Sequence, residues 1–144
     1  MAIVREAQLE DLIYLPPILA QLTSVGNVDQ QQLTAFYDEI KTNKNHIIYV
    51  VELNGTIIGC ATLLIEPKII HQCSKAGHIE DVVIDKQYRK RGYGKQLITH
   101  LLHEGEKRGC YKIILDSESD VSNFYAKCGM GPKQQCMALY FNKK

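Results

Sequence analysis

Apolar and polar positions along the chain change period several times, and each change marks an element. Residues 2–7 read as a first strand. Residues 9–21 and 29–41 read as helices, with Thr23-Ser24-Val25-Gly26-Asn27 as the break between them. Pro16-Pro17 lies inside the first helical region, where it kinks a helix or starts one afresh, because proline has no amide to donate. The β-branched runs 46–53 and 56–66 flank Asn54-Gly55, a pair that tolerates the positive φ angles of a tight hairpin. Residues 67–75 are looser, and 77–84 read as a fourth strand. Residues 93–108 form a helix whose buried stripe is Leu97, Ile98, Leu101 and Leu102, and Gly109 ends it. A strand over 111–115, a short helix over 122–128 closed by Gly129, and a final strand over 133–141 complete the order βααβββαβαβ. This predicts one α/β (α+β) domain over residues 1–144, a mixed sheet with helices on its faces.

Composition narrows the function classes. The 144 residues are 45% apolar and 23% charged, ordinary for a globular chain able to bury a core. Seventeen Lys and Arg against sixteen Asp and Glu leave a net charge of +1, so the surface as a whole is no polyelectrolyte trap for nucleic acid or anionic lipid. The longest apolar stretch, residues 57–65, is far short of the roughly 20 residues a membrane-spanning helix needs. The first residues mix Arg5 with Glu6, Glu10 and Asp11 and carry no apolar signal core, so a cytoplasmic location is expected. Five cysteines, with no CxxC pair, read as reduced thiols packed as small apolar residues. His100 and His103 lack a third ligand at metal-site spacing and read as solvated helical histidines, so no metal is expected.

The segment from Asp85 to Lys95 changes the picture most. Five of the seventeen basic side chains fall in residues 86–95, with no acid among them, between a strand and the start of an apolar-striped helix. A helix start offers unpaired N–H groups and about half a positive charge, which favours an anion. Gly92 and Gly94 remove side chains where backbone has to approach a phosphate, and Arg89, Lys90, Arg91 and Lys95 add charge-assisted contacts. The spacing excludes two familiar phosphate loops. Gly94-Lys95 is followed by Gln96 and preceded five residues earlier by Arg89, so it is not GxxxxGK[ST]. Leu97 stands where GxGxxG needs its last glycine. A solvated basic loop or a small nucleic-acid patch is the bland alternative; the near-neutral chain and the lack of an aromatic platform argue against the latter.

What remains, Arg89-x-x-Gly92-x-Gly94 between strand and helix, resembles the [Q/R]xxGx[G/A] loop of the GCN5-related N-acetyltransferases. The flanking segments are similar to the glucosamine 6-phosphate N-acetyltransferase family within that superfamily. They are Leu22-Thr23-Ser24-Val25-Gly26, Ile65-Glu66-Pro67-Lys68-Ile69-Ile70-His71 and Gly77-His78-Ile79-Glu80-Asp81-Val82-Val83-Ile84. Gly109-Cys110-Tyr111-Lys112-Ile113-Ile114-Leu115-Asp116 and Phe124-Tyr125-Ala126-Lys127-Cys128-Gly129 follow in the same order.

The resemblance implies a mixed, mostly antiparallel sheet with helices on both faces and a bulged strand that splays from its neighbour to admit the pantetheine arm of acetyl-CoA. It implies acetyl transfer to the amine of D-glucosamine 6-phosphate, a step toward UDP-N-acetylglucosamine, by direct attack and without a cysteine nucleophile. The coenzyme residues it implies are Val82, Val83 and Ile84 through their backbone, the loop Arg89, Lys90, Arg91, Gly92, Tyr93, Gly94 and Lys95, and Asn123, Tyr125 and Lys127. Acceptor residues carried over are Thr23, Lys68, Ile69, Ile70, His71, Glu80, Asp81, Tyr111, Lys112 and Asp116, with Tyr125, Asp116 and Glu80 as the catalytic set. By strict strand alternation Glu80 and Asp81 would face opposite ways, one of them buried or at a sheet opening. The family is homodimeric, which implies a second copy of the chain as partner. Two positions depart from the family pattern. Val121 stands four residues before Tyr125, where an Asn usually touches the coenzyme, leaving Asn123 as the available substitute. The stretch Met137-Ala138-Leu139-Tyr140 lacks the terminal-strand arginine that assists with the sugar phosphate.

Overall fold

In the computed structural model, which describes residues 1–141, five strands form one sheet in the order β1-β2-β3-β4-β5. Strands β1 (Ala2–Glu6), β2 (His46–Leu53), β3 (Thr56–Pro67) and β4 (Lys75–Ile84) run antiparallel in succession, and β5 (Cys110–Ile114) joins β4 in parallel. The β2–β3 hairpin turns at Asn54-Gly55, both with positive φ, as the sequence predicts. Because side chains alternate across a sheet, the two faces collect separate cores. Tyr49, Val51, Leu63, Ile65 and Ile79 meet the stripe Leu97, Ile98 and Leu101 of helix α4 (Tyr93–Lys107) on one face. Each of those fully buried aliphatic side chains contributes about 1.5–3 kcal/mol. On the other face Val50, Cys60 and Val83 meet Leu12, Leu15 and Ile18, with Leu33 and Tyr37 at the margin.

The first helical region divides at its prolines. A 3-10 segment, Leu9–Tyr14, precedes helix α1 (Leu15–Leu19), which Pro16 and Pro17 open in its first turn, where no amide is needed. Helix α2 (Gln30–Ile40) starts with a reciprocal capping box between Asp29 and Gln32. Asp11, 6% exposed, is held by a two-pronged Arg5 guanidinium at 2.7 and 2.9 Å, and Arg5 also reaches Glu52 at 2.8 Å. Arg5 thereby keeps the Asp11 carboxyl below its ordinary range.

The looser stretch 67–75 lies between strands except for Pro67 and Lys75, and holds the single turn α3 (Ile70–Cys73), in which His71, Gln72 and Cys73 are all left-handed. Two expectations need correction. His100 is half-buried and not freely solvated, its ring packing edge-on to Tyr49 with centroids 5.2 Å apart. Residues 133–141 form no strand. No strand edge of this chain takes them up, and Met137, Leu139, Tyr140 and Phe141 stand 79–90% exposed.

The feature that positions the site is an incomplete strand pairing. β5 pairs with β4 only from Lys75 to His78, so residues 79–84 lack a strand on that side. There β4 also carries a bulge against β3: Cys60 pairs with Val83 and Thr62 with Glu80, leaving Asp81 in a left-handed conformation.

Candidate active site

The basic segment folds as its composition predicts. β4 ends at Ile84, a short 3-10 turn (Lys86–Tyr88) follows, and Gly92 caps α4 with φ 88°, a conformation glycine adopts without penalty. No side chain caps this helix start, so the first N–H groups of α4 face outward, available to an anion. Lys90 is itself left-handed, which folds the loop over the helix start. Arg91 lies 5.9 Å over the Tyr88 ring. Arg89 works from inside the loop: its Nε donates to the Ile84 carbonyl at 2.7 Å, and its Nη2 reaches the Gln21 side chain at 3.4 Å. Gly94 has a packing role beyond phosphate approach, because a Cβ there would meet the Phe124 ring at 3.2 Å.

From this cradle the unpaired flank of β4 leads to three carboxylates. The bulge overrides strict alternation, so Glu80 and Asp81 are both exposed instead of one being buried. Burial and the like charges of Asp116 and Asp81 push the Glu80 carboxyl above its ordinary range, against a lowering by His78. Asp116 lies two residues past the end of β5, as Glu80 lies two past His78 in β4, beyond the last rung His78–Ile114, and its charge reaches Glu80. On the opposite wall, helix α5 (Ser122–Ala126) carries Tyr125, half-buried, its ring edge-on to Phe124 at 5.0 Å. Burial, with a smaller contribution from Cys128, raises the Tyr125 phenol, which therefore stays protonated at neutral pH. Asn123 and Lys127 are exposed at either end of the same short helix.

A second polar corner lies at the other end of the β4–β5 pair. The His71 ring stacks on Tyr111 at 4.2 Å, and Lys112 Nζ sits 5.6 Å from the centre of the same ring. Glu66 accepts from Lys68 Nζ at 3.3 Å and pairs with His78 Nε2 at 3.0 Å. Ile69 and Ile70 project outward, 88% and 56% exposed. Lys75, at the start of β4, is five residues from Glu80, about 16 Å of strand at 3.3 Å per residue. Lys112 pairs opposite Ala76, four residues before Glu80, and Lys68 reaches through Glu66 to His78, two residues before it. Thr23 is exposed just past α1.

Sequence reasoning missed two groups near these residues. Gln21 bridges to the coenzyme loop, and Cys136 lies beside Asp116, whose carboxylate pushes the thiol up. Only the adjacency of Gln21 to Thr23 could have hinted at the first. Of the remaining thiols, Cys60 is buried and pushed up to about 12, and Cys110 and Cys128 join the core margin, whereas Cys73, like Cys136, is exposed and not packed as a small apolar residue. Among the described residues no group of three or more His, Cys, Asp or Glu gathers at metal-holding distance, and no helix is long and apolar enough to cross a membrane.

Comparison with known proteins agrees with this geometry. The acetyltransferase (GNAT) family profile matches residues 14–130. Glucosamine 6-phosphate N-acetyltransferase of Arabidopsis thaliana is 38% identical over 87% of this chain and 86% of its own. Glucosamine 6-phosphate N-acetyltransferase 1 of Dictyostelium discoideum is 38% identical over 85% of this chain and 79% of its own. The crystal structure of the Arabidopsis thaliana enzyme superposes with a TM-score of 0.94 at 35% identity, covering 99% of both chains. With a basic helix start, a split sheet and relatives that match nearly end to end, the chain belongs to the GNAT acetyltransferase family, on the branch that holds the glucosamine 6-phosphate N-acetyltransferases.

Proposed function

We propose that this chain transfers the acetyl group of acetyl-CoA to the amine of D-glucosamine 6-phosphate, giving N-acetyl-D-glucosamine 6-phosphate and CoA. The observation that carries this reading is the split beside residues 79–84, which runs from an uncapped, basic helix start to the three carboxylates Glu80, Asp81 and Asp116. The coenzyme diphosphate rests on the N–H groups at the start of α4, with Lys90, Arg91 and Lys95 adding charge. Its pantetheine arm pairs with the free edge of residues 82–84 as an extra strand would. An N–H on that edge polarises the thioester carbonyl, where negative charge develops during attack.

The carboxylates attract the sugar ammonium and orient it. Neighbouring oxygens make a sugar amine less basic than lysine, so a carboxylate or water suffices to take its proton before attack. Attack forms the C–N bond and with it the tetrahedral centre, whose nitrogen sheds its extra proton to a carboxylate or water. Collapse restores the carbonyl and breaks the C–S bond, and Tyr125 gives its proton to the departing thiolate as that bond breaks. A phenol kept neutral by its surroundings suits this role; burial makes it a weaker acid than an ordinary phenol, itself weaker than a thiol, so transfer accompanies bond breaking and does not precede it.

The active unit in this proposal is a homodimer. One feature supports it: the apolar residues 137–141 are exposed and left without a strand edge. A second copy supplies a sheet edge. The five free thiols suit a reducing compartment, and we place the protein in the cytoplasm. Thiol release from acetyl-CoA with a panel of amines tests the reaction. Glucosamine 6-phosphate should be the best acceptor, and equal rates with unphosphorylated glucosamine would overturn the phosphate assignment. Sedimentation should find a dimer, and a chain ending at residue 130 should be monomeric.

A further inference from the structure

Gln21 stands between the two halves of the site. Its backbone is fixed to the end of α1, where its N–H donates to the Ile18 carbonyl at 3.1 Å, and the next two residues, Leu22 and Thr23, donate to Leu19 at 2.9 and 3.0 Å. Its side chain crosses to the coenzyme loop, more than sixty residues later. Oε1 accepts the Lys86 N–H at 2.8 Å and Arg89 Nη2 at 3.4 Å, while Nε2 donates to Asp85 Oδ1 at 3.4 Å. The loop residues it grips are themselves anchored. Asp85 N donates to Ile58 at 2.7 Å, Asp85 Oδ1 also caps Gln87 N at 3.1 Å, and Arg89 Nε holds the Ile84 carbonyl at 2.7 Å. One exposed amide thus makes three contacts with the turn that precedes the cradle, and two residues after it comes Thr23.

We propose that Gln21 is a positioning residue that ties the segment carrying Thr23 to the coenzyme loop, so that acetyl-CoA and the amine acceptor bind interdependently. The acceptor half of this inference rests on the function proposed above. A diphosphate seated on α4 restrains residues 85–92. Through Gln21 that restraint passes to residues 21–23, which then meet the acceptor already ordered. Linkage requires the reverse as well, so the acceptor tightens coenzyme binding by the same factor. Being solvent-exposed, these hydrogen bonds contribute little to global stability, and their effect falls on the relative placement of two segments.

Calorimetry on the full chain with CoA, and with glucosamine 6-phosphate in the presence and absence of CoA, tests this without turnover. For the wild type, CoA should tighten sugar phosphate binding by about fivefold or more. Gln21→Leu removes all three contacts, so CoA should bind about three- to tenfold more weakly and the coupling factor should fall to near one. Gln21→Glu keeps both acceptor contacts of Oε1 but sets its second oxygen against Asp85 Oδ1, so its CoA affinity should fall between wild type and Gln21→Leu. In both variants kcat with both substrates saturating should hold, which general damage to the fold would not allow. An unchanged coupling factor in Gln21→Leu overturns the proposal. A wild type that binds CoA but not glucosamine 6-phosphate sinks the acceptor reading alone. The CoA measurement then decides the matter, and Gln21→Leu with wild-type CoA affinity overturns the proposal there too.

Discussion

The proposed coenzyme end and the proposed acceptor end of this molecule are built differently. Residues 82–95 form the first in one continuous stretch, and its working groups are main-chain: the unpaired flank of β4 and the first N–H groups of α4. The second gathers side chains from β4, the end of β5, the β3–β4 turn and the segment after α1. A site made of backbone in one segment is complete once that segment folds. A site made of side chains distant in sequence depends on which strands pair and where their pairing stops.

Four measurements can break or sharpen that contrast. Tyr125→Phe should have the largest effect, because the leaving thiolate loses its donor. We expect kcat to fall about a hundredfold with CoA affinity within about twofold. An unchanged kcat would return Tyr125 to packing against Phe124 alone. Next, Lys90→Ala combined with Lys95→Ala should raise KM for acetyl-CoA about tenfold by removing two charge-assisted contacts, with kcat unchanged and a weaker dependence on salt. A fall in kcat without a change in KM would mean the cradle does more than hold the coenzyme.

The third test addresses the acceptor end. Asp116→Asn should raise KM for the sugar phosphate about fivefold, leaving CoA binding alone. It should also move the acid limb of the acceptor kcat/KM profile to lower pH. The sign follows from charge: Asp116 is one of the anions that hold the Glu80 carboxyl above its ordinary value, so neutralising it lets Glu80 ionise at lower pH. A limb that stays in place would remove Glu80 from the acceptor site.

The smallest effect on either end belongs to Arg5→Ala, a reference point outside both. Stability should fall by about 2–3 kcal/mol, because buried Asp11 loses its partner, while kinetics per folded molecule hold. Asp11 has a lowered pKa in the folded chain. The stability it confers is thus present above the unfolded value and lost as pH falls through the lowered one. In Arg5→Ala that acid-side loss should flatten, as thermal melts against pH would show.

Much of this was legible in the chain itself, and the exceptions share a cause. Asn54-Gly55 named its hairpin, Pro16-Pro17 named the break before α1, and the stripe Leu97, Ile98 and Leu101 named the buried face of α4, because each depends on neighbours close in sequence. The basic loop with Gly92 named the cradle for the same reason. Residues 133–141 misled, since alternation marks a segment able to be a strand and says nothing of whether an edge is there to receive it. Glu80 and Asp81 escaped alternation through a bulge set by pairing with β3. The sequence by itself determined the local elements and the basic, uncapped helix start, which follow from side-chain period and backbone chemistry. Tertiary structure alone decided the opening between β4 and β5, the shared exposure of Glu80 and Asp81, and the reach of Gln21 to Lys86. Those depend on which distant strands pair and where their hydrogen bonds stop.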